Sequence, residues 1–469
     1  MPTFQPVRAP RGAVLSCHGW RQEGALRLLL NSLDPEVAEP LESRADETVR
    51  DVESVQSTIA VLRALKNDES LIVNNVDQPG TVIRTTPAMP RVVTLDSARD
   101  WLYTGTQTAL PLAYALFNAL AQKRFGGTLA GRLVVSGGMG GLGGAYALAA
   151  TLHGAAFLGI DADGERIKRQ VKAGYCDTLV TDIDEALRIL KNAVRRRIPT
   201  SVGLFANFAE LIPQLARRGV VPDVLSDKTP SNGAFDGYVP SGLAPEAARA
   251  LNRDDPDAFR ARARDSIADQ HRGMAELEKL GALVIGESTS AANNFAGARA
   301  YLQSIADAGF QLAIWMALSG EPADIARADQ MALETLSDDG SLQKYLPLVS
   351  RYVRFQGLPA RAALIREADY VRIALALNDL VAQRQLAAPI LIGLRQLFGE
   401  NGKPAPSRAG DLQYPEVAHN LANVLPKEAR GAAWASVQSR DRRNAEFQIL
   451  AKALVADGSA DASRLLGAQ

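Results

Sequence analysis

Cysteine and histidine are nearly missing from this 469-residue chain, which has two of the first and four of the second. Cys17 and Cys176, far apart in sequence, are too few for a disulfide framework or a cysteine-based zinc site. His18, His153, His271 and His419 are scattered, without the i, i+4 or clustered spacing of a metal site, and no metal is expected. Charge of one sign is missing too: 52 basic and 52 acidic side chains cancel. That removes the electrostatic footprint of a nucleic-acid binder. No run reaches the roughly 18 apolar residues of a membrane span. The opening MPTFQPVRAPRGAVLSC lacks the basic start and apolar core of a secretory signal. The expectation is a cytoplasmic protein, with no membrane and no nucleic acid among its partners.

What is present is an average globular composition, 47% hydrophobic and 22% charged, on a chain longer than one core usually supports. Residues 20–33 carry apolar side chains at helical spacing up to Asp34-Pro35, where proline stops the helix. A helix is expected over 47–66, two strands joined by a Pro-Gly turn over 69–85, a short strand at PRVVTL and a helix over 107–122. From about residue 130, RLVVSG, AAFLGID, DTLVTD, TSVGLFAN and PDVLSD read as strands separated by helices. This alternation implies right-handed crossovers in a mostly parallel, doubly wound sheet. Residues 243–280, highly charged with helical period, read as a solvated helical arm or a dimer contact. The tail from about residue 440 reads as a mixed-charge helix.

The stretch VVSGGMGGLGGAYALAATLHGAAFLGID, 134–161, holds Gly138-Met139-Gly140-Gly141-Leu142-Gly143 between a strand and a helix. Glycines there permit a tight turn and let backbone approach a pyrophosphate, which the following helix N-terminus stabilises. Asp161 ends the second strand 18 residues after Gly143, where an acid hydrogen-bonds a ribose hydroxyl and disfavours the extra phosphate of NADP. NAD+ is the expected cofactor. The expected fold is α/β, with a doubly wound Rossmann-like NAD domain inserted in a larger α/β core domain. Its expected parts are 1–125 and 311–469 for the core and substrate domain, 126–245 for the NAD domain and 246–310 for a helical connection.

Other segments resemble the urocanase (urocanate hydratase) family: RAPRG, LSCHGW, LLLNSLDPEVAE, GGMGGLGGA, ANFAELIPQLARRGVVPDVLSD, DGYVP, ALSGEPADI, FQGLPAR and LAAPILIG, in family order over about nine-tenths of the chain. The resemblance implies a homodimeric hydro-lyase that adds water to an imidazole-propenoate. It also implies that tightly held NAD+ serves as an electrophile attacked by an electron-rich imidazole carbon, with no net redox change. Carried over residue by residue, the cofactor contacts fall on Gly141, Leu142 and Gly143 for the diphosphate, Asp161 and Arg166 for the ribose, and Asn207 and Phe208 at the next strand end. Lys228, Thr229, Ser231 and Asn232 follow the fifth strand, where only the threonine of the family's run is kept. Tyr238, Val239 and Arg408 complete the set.

The departures concern the substrate side. The family's Tyr-Gly-Gly-Ile-Gly loop is replaced by PLESRADETVRD, its Ile-Cys by Ala362-Ala363, and its Arg-Asp-His-Leu-Asp by Leu394-Arg395-Gln396-Leu397-Phe398. Replacement around a retained cofactor turn points to a ring-modified substrate, thiourocanate or S-methyl thiourocanate, in a pocket made apolar by Ala362, Ala363, Leu394, Leu397 and Phe398. Ordinary urocanate hydration and NAD-dependent dehydrogenation are the alternatives. Arg361 in FQGLPAR is the candidate fork for a substrate carboxylate, and Tyr103 and Glu287 are candidates for proton transfer. Cys17 reads as a small buried hydrophobe.

Overall fold

The computed structural model describes residues 7–38, 52–74, 80–95, 100–231, 235, 237–285, 298–397, 421, 425–441 and 446–469. In chain order the first part holds α1 (Trp20–Leu33), α2 (Val52–Ala64), β1 (Glu69–Val73), β2 (Thr81–Arg84), β3 (Val92–Leu95) and α3 (Leu110–Arg124). The nucleotide unit follows with β4 (Leu133–Gly137), α4 (Gly141–Leu152), β5 (Ala156–Asp161), α5 (Gly164–Ala173), β6 (Thr178–Val180) and α6 (Ile183–Arg196). It continues through β7 (Thr200–Phe205), α7 (Phe208–Arg217), β8 (Val224–Asp227), α8 (Pro245–Asp254), α9 (Pro256–Lys279) and β9 (Leu283–Ile285). The last part holds α10 (Ala298–Asp307), β10 (Phe310–Ala317), α11 (Pro322–Thr335), α12 (Gly340–Tyr352), β11 (Ala360–Arg366) and α13 (Glu367–Ala382). It ends with β12 (Ile390–Arg395), β13 (Trp434–Asp441), β14 (Glu446–Ala456) and α14 (Ala460–Leu466).

Two sheets result. The nucleotide sheet has the order β6-β7-β5-β4-β8-β9 with every pairing parallel. Successive connections leave β4 toward β5 on one side and return to β8 on the other, so the crevice at the carboxyl ends of β4 and β8 is the switch point where such sheets bind ligands. The second sheet, β11-β10-β12-β14-β13-β3-β1-β2, takes strands from both ends of the chain and is closed across the middle by the parallel pair β13–β3. The nucleotide unit is therefore an insertion in a larger α/β core. A continuous apolar cluster joins the two sheets through α3, α4 and α13, with Leu116, Phe117, Tyr146 and Ile373 among its buried members.

Two expectations are corrected. The tail after residue 440 is strand over Glu446–Ala456, flanked by β12 and β13 in the middle of the core sheet, and only Ala460–Leu466 is helical. Ala451, Ala453 and Val455 are buried on one face of the strand, and that period of two outweighs the helical preference of lysine and alanine. The charged 243–280 stretch is two helices broken at Asp255-Pro256, and the second is no solvated arm. Phe259, Ala263, Ser266, Gln270, Gly273 and Leu277 form a buried stripe, and Gly273 lets α9 approach Ile212 and Pro213 of α7. The Pro-Gly turn of 69–85 and the start of the 47–66 helix lie outside the described residues.

The N-terminal segment is fastened by a buried ion pair. Arg27 and Glu23, both fully buried, meet at 2.8 Å. The guanidinium also donates to the carbonyls of Gly12, Val14 and Leu318, and Glu23 accepts from Ser16 and Cys17. Removing one partner strands the other charge in the core. Arg27→Leu should therefore lower unfolding free energy by about 3–5 kcal/mol, read as a lower urea midpoint. A smaller loss is expected in Glu23→Gln/Arg27→Leu, where no charge is stranded.

Candidate dinucleotide site

The glycine turn leaves β4 under tight steric limits. Gly138 has φ +78°, and a β-carbon there would lie against the Lys228 carbonyl. A β-carbon at Gly143 would collide with the carbonyl of Gly138. Both positions therefore need glycine. Helix α4 then starts at Gly141 behind Gly140, whose N-cap position offers no side-chain cap, so its positive end is directed to the crevice.

Asp161 holds this turn in place. Its Oδ2 accepts from the Met139 N–H at 2.7 Å, and its Oδ1 accepts from the Asp163 N–H at 2.8 Å, with Arg166 at 3.5 Å. Burial pushes its carboxyl above the usual range, against the pull of Arg166 and those two N–H donors. The expected ribose acceptor is thus also the clamp between β5 and the turn.

A cleft of about 150 Å³ opens over the turn, lined by Gly138 to Gly141, Asp161, Arg166 and Lys228 on one side. Glu36, Val37, Tyr103, Thr106 and Gln356 of the core unit line the other. Beyond Asp161 and Arg166 a second hollow of about 20 Å³ is lined by Asn207, Phe208, Thr229, Tyr238 and Val239. That volume holds little more than a water, so a base enters only if the wall of Pro230 and Gly237 gives way. Arg166 ties this wall down through the Gly237 carbonyl at 2.8 Å.

The remaining residues expected at the cofactor take different places. Asn207 caps α7 through the Ala209 N–H and donates to the Val239 carbonyl at 2.9 Å. Phe208 packs on Gly137. The Lys228 ammonium lies 4.6 Å from the centre of the Tyr146 ring. Thr229 donates its N–H and hydroxyl to Asp227, at 2.8 and 2.7 Å, and the Ser231 N–H donates to the Thr229 carbonyl. Leu142 packs against the apolar cluster between the sheets. Asn232 and Arg408 lie outside the described residues.

Sequence reasoning missed four site residues. Gln270 of α9 donates to Asp227 and to the Thr229 hydroxyl and lies 3.5 Å from the Tyr238 hydroxyl; the buried stripe of α9 was its signal. Gln170, Thr106 and Gln356 form a line across the cleft. Gln170 donates to the Gly140 carbonyl at 3.3 Å and accepts from the Thr106 hydroxyl at 3.1 Å. The Thr106 N–H donates to Gln356 at 3.0 Å, and Gln356 donates to the Glu36 carbonyl at 2.8 Å.

Of the two catalytic candidates among the described residues, Tyr103 is brought to the cleft and Arg361 is not. Arg361 is 3% exposed and spends its fork on Asp329, at 2.9 and 2.8 Å, and on Ser350. Glu287 lies outside the described residues. Ala362, Ala363 and Leu394 do not form one pocket: Ala362 is buried in the cluster on one face of the core sheet, and Ala363 and Leu394 in the cluster on the other. Neighbouring strand residues point to opposite faces, which separates them. Leu397 packs on the first of these clusters, and Phe398 lies outside the described residues. Burial and Glu23 push the Cys17 thiol up to about 12, which leaves it a neutral, inert group.

Fold and cleft together define an α/β protein with a Rossmann-like nucleotide unit set into a core that faces it. The family models for the urocanase N-terminal domain, the urocanase Rossmann-like domain and the urocanase C-terminal domain match residues 7–106, 105–308 and 307–468. The chain belongs to the urocanase family, whose members are hydro-lyases acting on urocanate-like substrates and whose Rossmann-like domain binds NAD. The residues present fit such a cofactor: a turn with no room for β-carbons, an uncapped helix start and an acid at the second strand end. Gly143→Ala should leave the circular dichroism spectrum near that of wild type. Most of the dinucleotide released on denaturation should be gone, as read by chromatography of the denatured supernatant.

Proposed function

We propose that the protein adds water to a urocanate-like imidazole-propenoate with NAD+ held tightly at the cleft and no net redox change. The observation that carries the reading is the facing of Tyr103 and Gln356, from the core unit, onto the Gly138–Gly141 turn across one cleft. When bound, NAD+ supplies an electrophilic nicotinamide ring that changes the polarity of a conjugated substrate. The chain's own residues do the rest. The α4 N-terminus and Lys228 balance the diphosphate charge, and Asp161 accepts from a ribose hydroxyl. The Gln170–Thr106–Gln356 line holds the two walls of the cleft at one separation. Tyr103, which lines the cleft opposite the turn, is the residue assigned the proton transfer.

The substrate inferred is a ring-modified urocanate, thiourocanate or S-methyl thiourocanate. Its support is the set of replaced substrate-side motifs and not an apolar pocket, since Ala362, Ala363 and Leu394 belong to the cores. A cytoplasmic homodimer is part of the same reading. The test is a panel of urocanate, thiourocanate, S-methyl thiourocanate and N-methyl urocanates followed by ultraviolet absorbance. Loss of propenoate absorbance with unchanged nicotinamide absorbance is expected for a sulfur-bearing ring. Stoichiometric NADH would instead identify a dehydrogenase, and inertness toward the whole panel would sink the hydratase reading. Tyr103→Phe should slow turnover by about 100-fold or more while the NAD+ content of the purified chain stays the same.

A further inference from the structure

The cleft holds three described cations, Arg166, Arg169 and Lys228, and two described carboxylates, Glu36 and Asp161. Most of these charges are committed to the protein. Arg166 is tied to Gly237 and stands by Asp161, and Lys228 lies over Tyr146. Asp161 accepts from two backbone N–H groups, and Glu36 faces Arg8 at 3.8 Å. Arg169 differs. It is partly buried, and among the described residues its guanidinium has no hydrogen bond, ion pair or ring contact. It follows Arg166 by three residues on α5, so the two side chains share a helix face. The next residue, Gln170, is pinned to Thr106 and Gly140, which fixes this turn of α5 against the cleft. A guanidinium beside a cavity with its donors unspent is matched to an oxyanion, which accepts two parallel N–H bonds.

We propose that Arg169 anchors a phosphate oxyanion of the bound dinucleotide, at the diphosphate and not at a 2′-phosphate. The assignment rests on the dinucleotide reading above. Charge decides between the two positions. At the ribose end Arg166 is committed to Asp161 and to the Gly237 carbonyl, whereas the uncapped start of α4 and Lys228 draw negative charge to the turn side. Arg169 thereby becomes a determinant of cofactor retention that lies outside the glycine fingerprint.

The test is calorimetric titration of the full-length chain, freed of resident dinucleotide by charcoal treatment, as wild type, Arg169→Ala and Arg169→Lys, with ADP-ribose, adenosine, NADP+ and urocanate at two salt concentrations. Arg169→Ala should weaken ADP-ribose by about tenfold or more, leave adenosine unchanged and flatten the salt dependence. Arg169→Lys should fall between, since it keeps the charge and loses the fork; it carries the test if the alanine variant fails to fold. Equal ADP-ribose affinity in all three proteins overturns the assignment, as does an equal loss for adenosine. A loss confined to NADP+ overturns it in favour of a 2′-phosphate. Unchanged ADP-ribose affinity with weakened urocanate binding overturns it in favour of a substrate carboxylate. A wild-type chain that binds none of the nucleotides refutes the dinucleotide reading, and the assignment falls with it.

Discussion

The separation between the glycine turn and the wall that faces it is set by one hydrogen-bonded line, Gly140–Gln170–Thr106–Gln356–Glu36, which crosses from the nucleotide unit to the core. Thr106, Gln170 and Gln356 are all at most 8% exposed, and the two bonds made by Thr106 are buried, so leaving either unmade is costly. A reaction between groups on the two walls needs that separation fixed to fractions of an ångström. The apolar cluster shared by the two sheets sets the approximate docking. The polar line sets its register, because dispersion contacts tolerate sliding and hydrogen bonds do not.

The two carboxylates at the strand ends, Asp161 buried and Asp227 half-buried, serve the same geometry. Asp161 ends β5 and Asp227 ends β8, on either side of β4, and burial raises both. Each is held by a backbone N–H of the loop it stabilises, Met139 for Asp161 and Thr229 for Asp227. Their charge is therefore spent on shaping the loops. This leaves the crevice with a positive bias from Arg169, Lys228 and the α4 terminus, the sign that a diphosphate requires.

Much of the nucleotide unit was legible because its signals are local. Short apolar strands, of which β4, β5 and β8 end at glycine or aspartate, alternate with periodic helices, and the turn has a steric requirement visible as glycine. Strand order was not legible: β7 lies between β6 and β5 through pairings distant in sequence. The same holds for β14, whose lysine and alanines read as helix until the neighbouring strands are known. Arg361 fell in a matched motif, yet its partner Asp329 lies 32 residues away on α11, and nothing in the spacing marks the pair. Gln270 was readable in principle, since residues 259, 263, 266, 270, 273 and 277 make an apolar stripe with one glutamine and one serine in it. The high charge of the other faces hid it.

Three of the four bonds in the interdomain line have a main-chain atom as one partner: the carbonyl of Gly140, the N–H of Thr106 and the carbonyl of Glu36. A bond to the main chain is indifferent to which side chain the neighbouring residue carries. Lining side chains can therefore change without moving the turn, so long as the two glutamines and the threonine stay. The steric limits at Gly138 and Gly143 work in the same way, since the colliding atoms belong to backbone. The geometry of the glycine turn is thus insulated from the composition of the opposite wall. That is the physical condition under which substrate-side motifs can depart from the family pattern while the turn keeps its form.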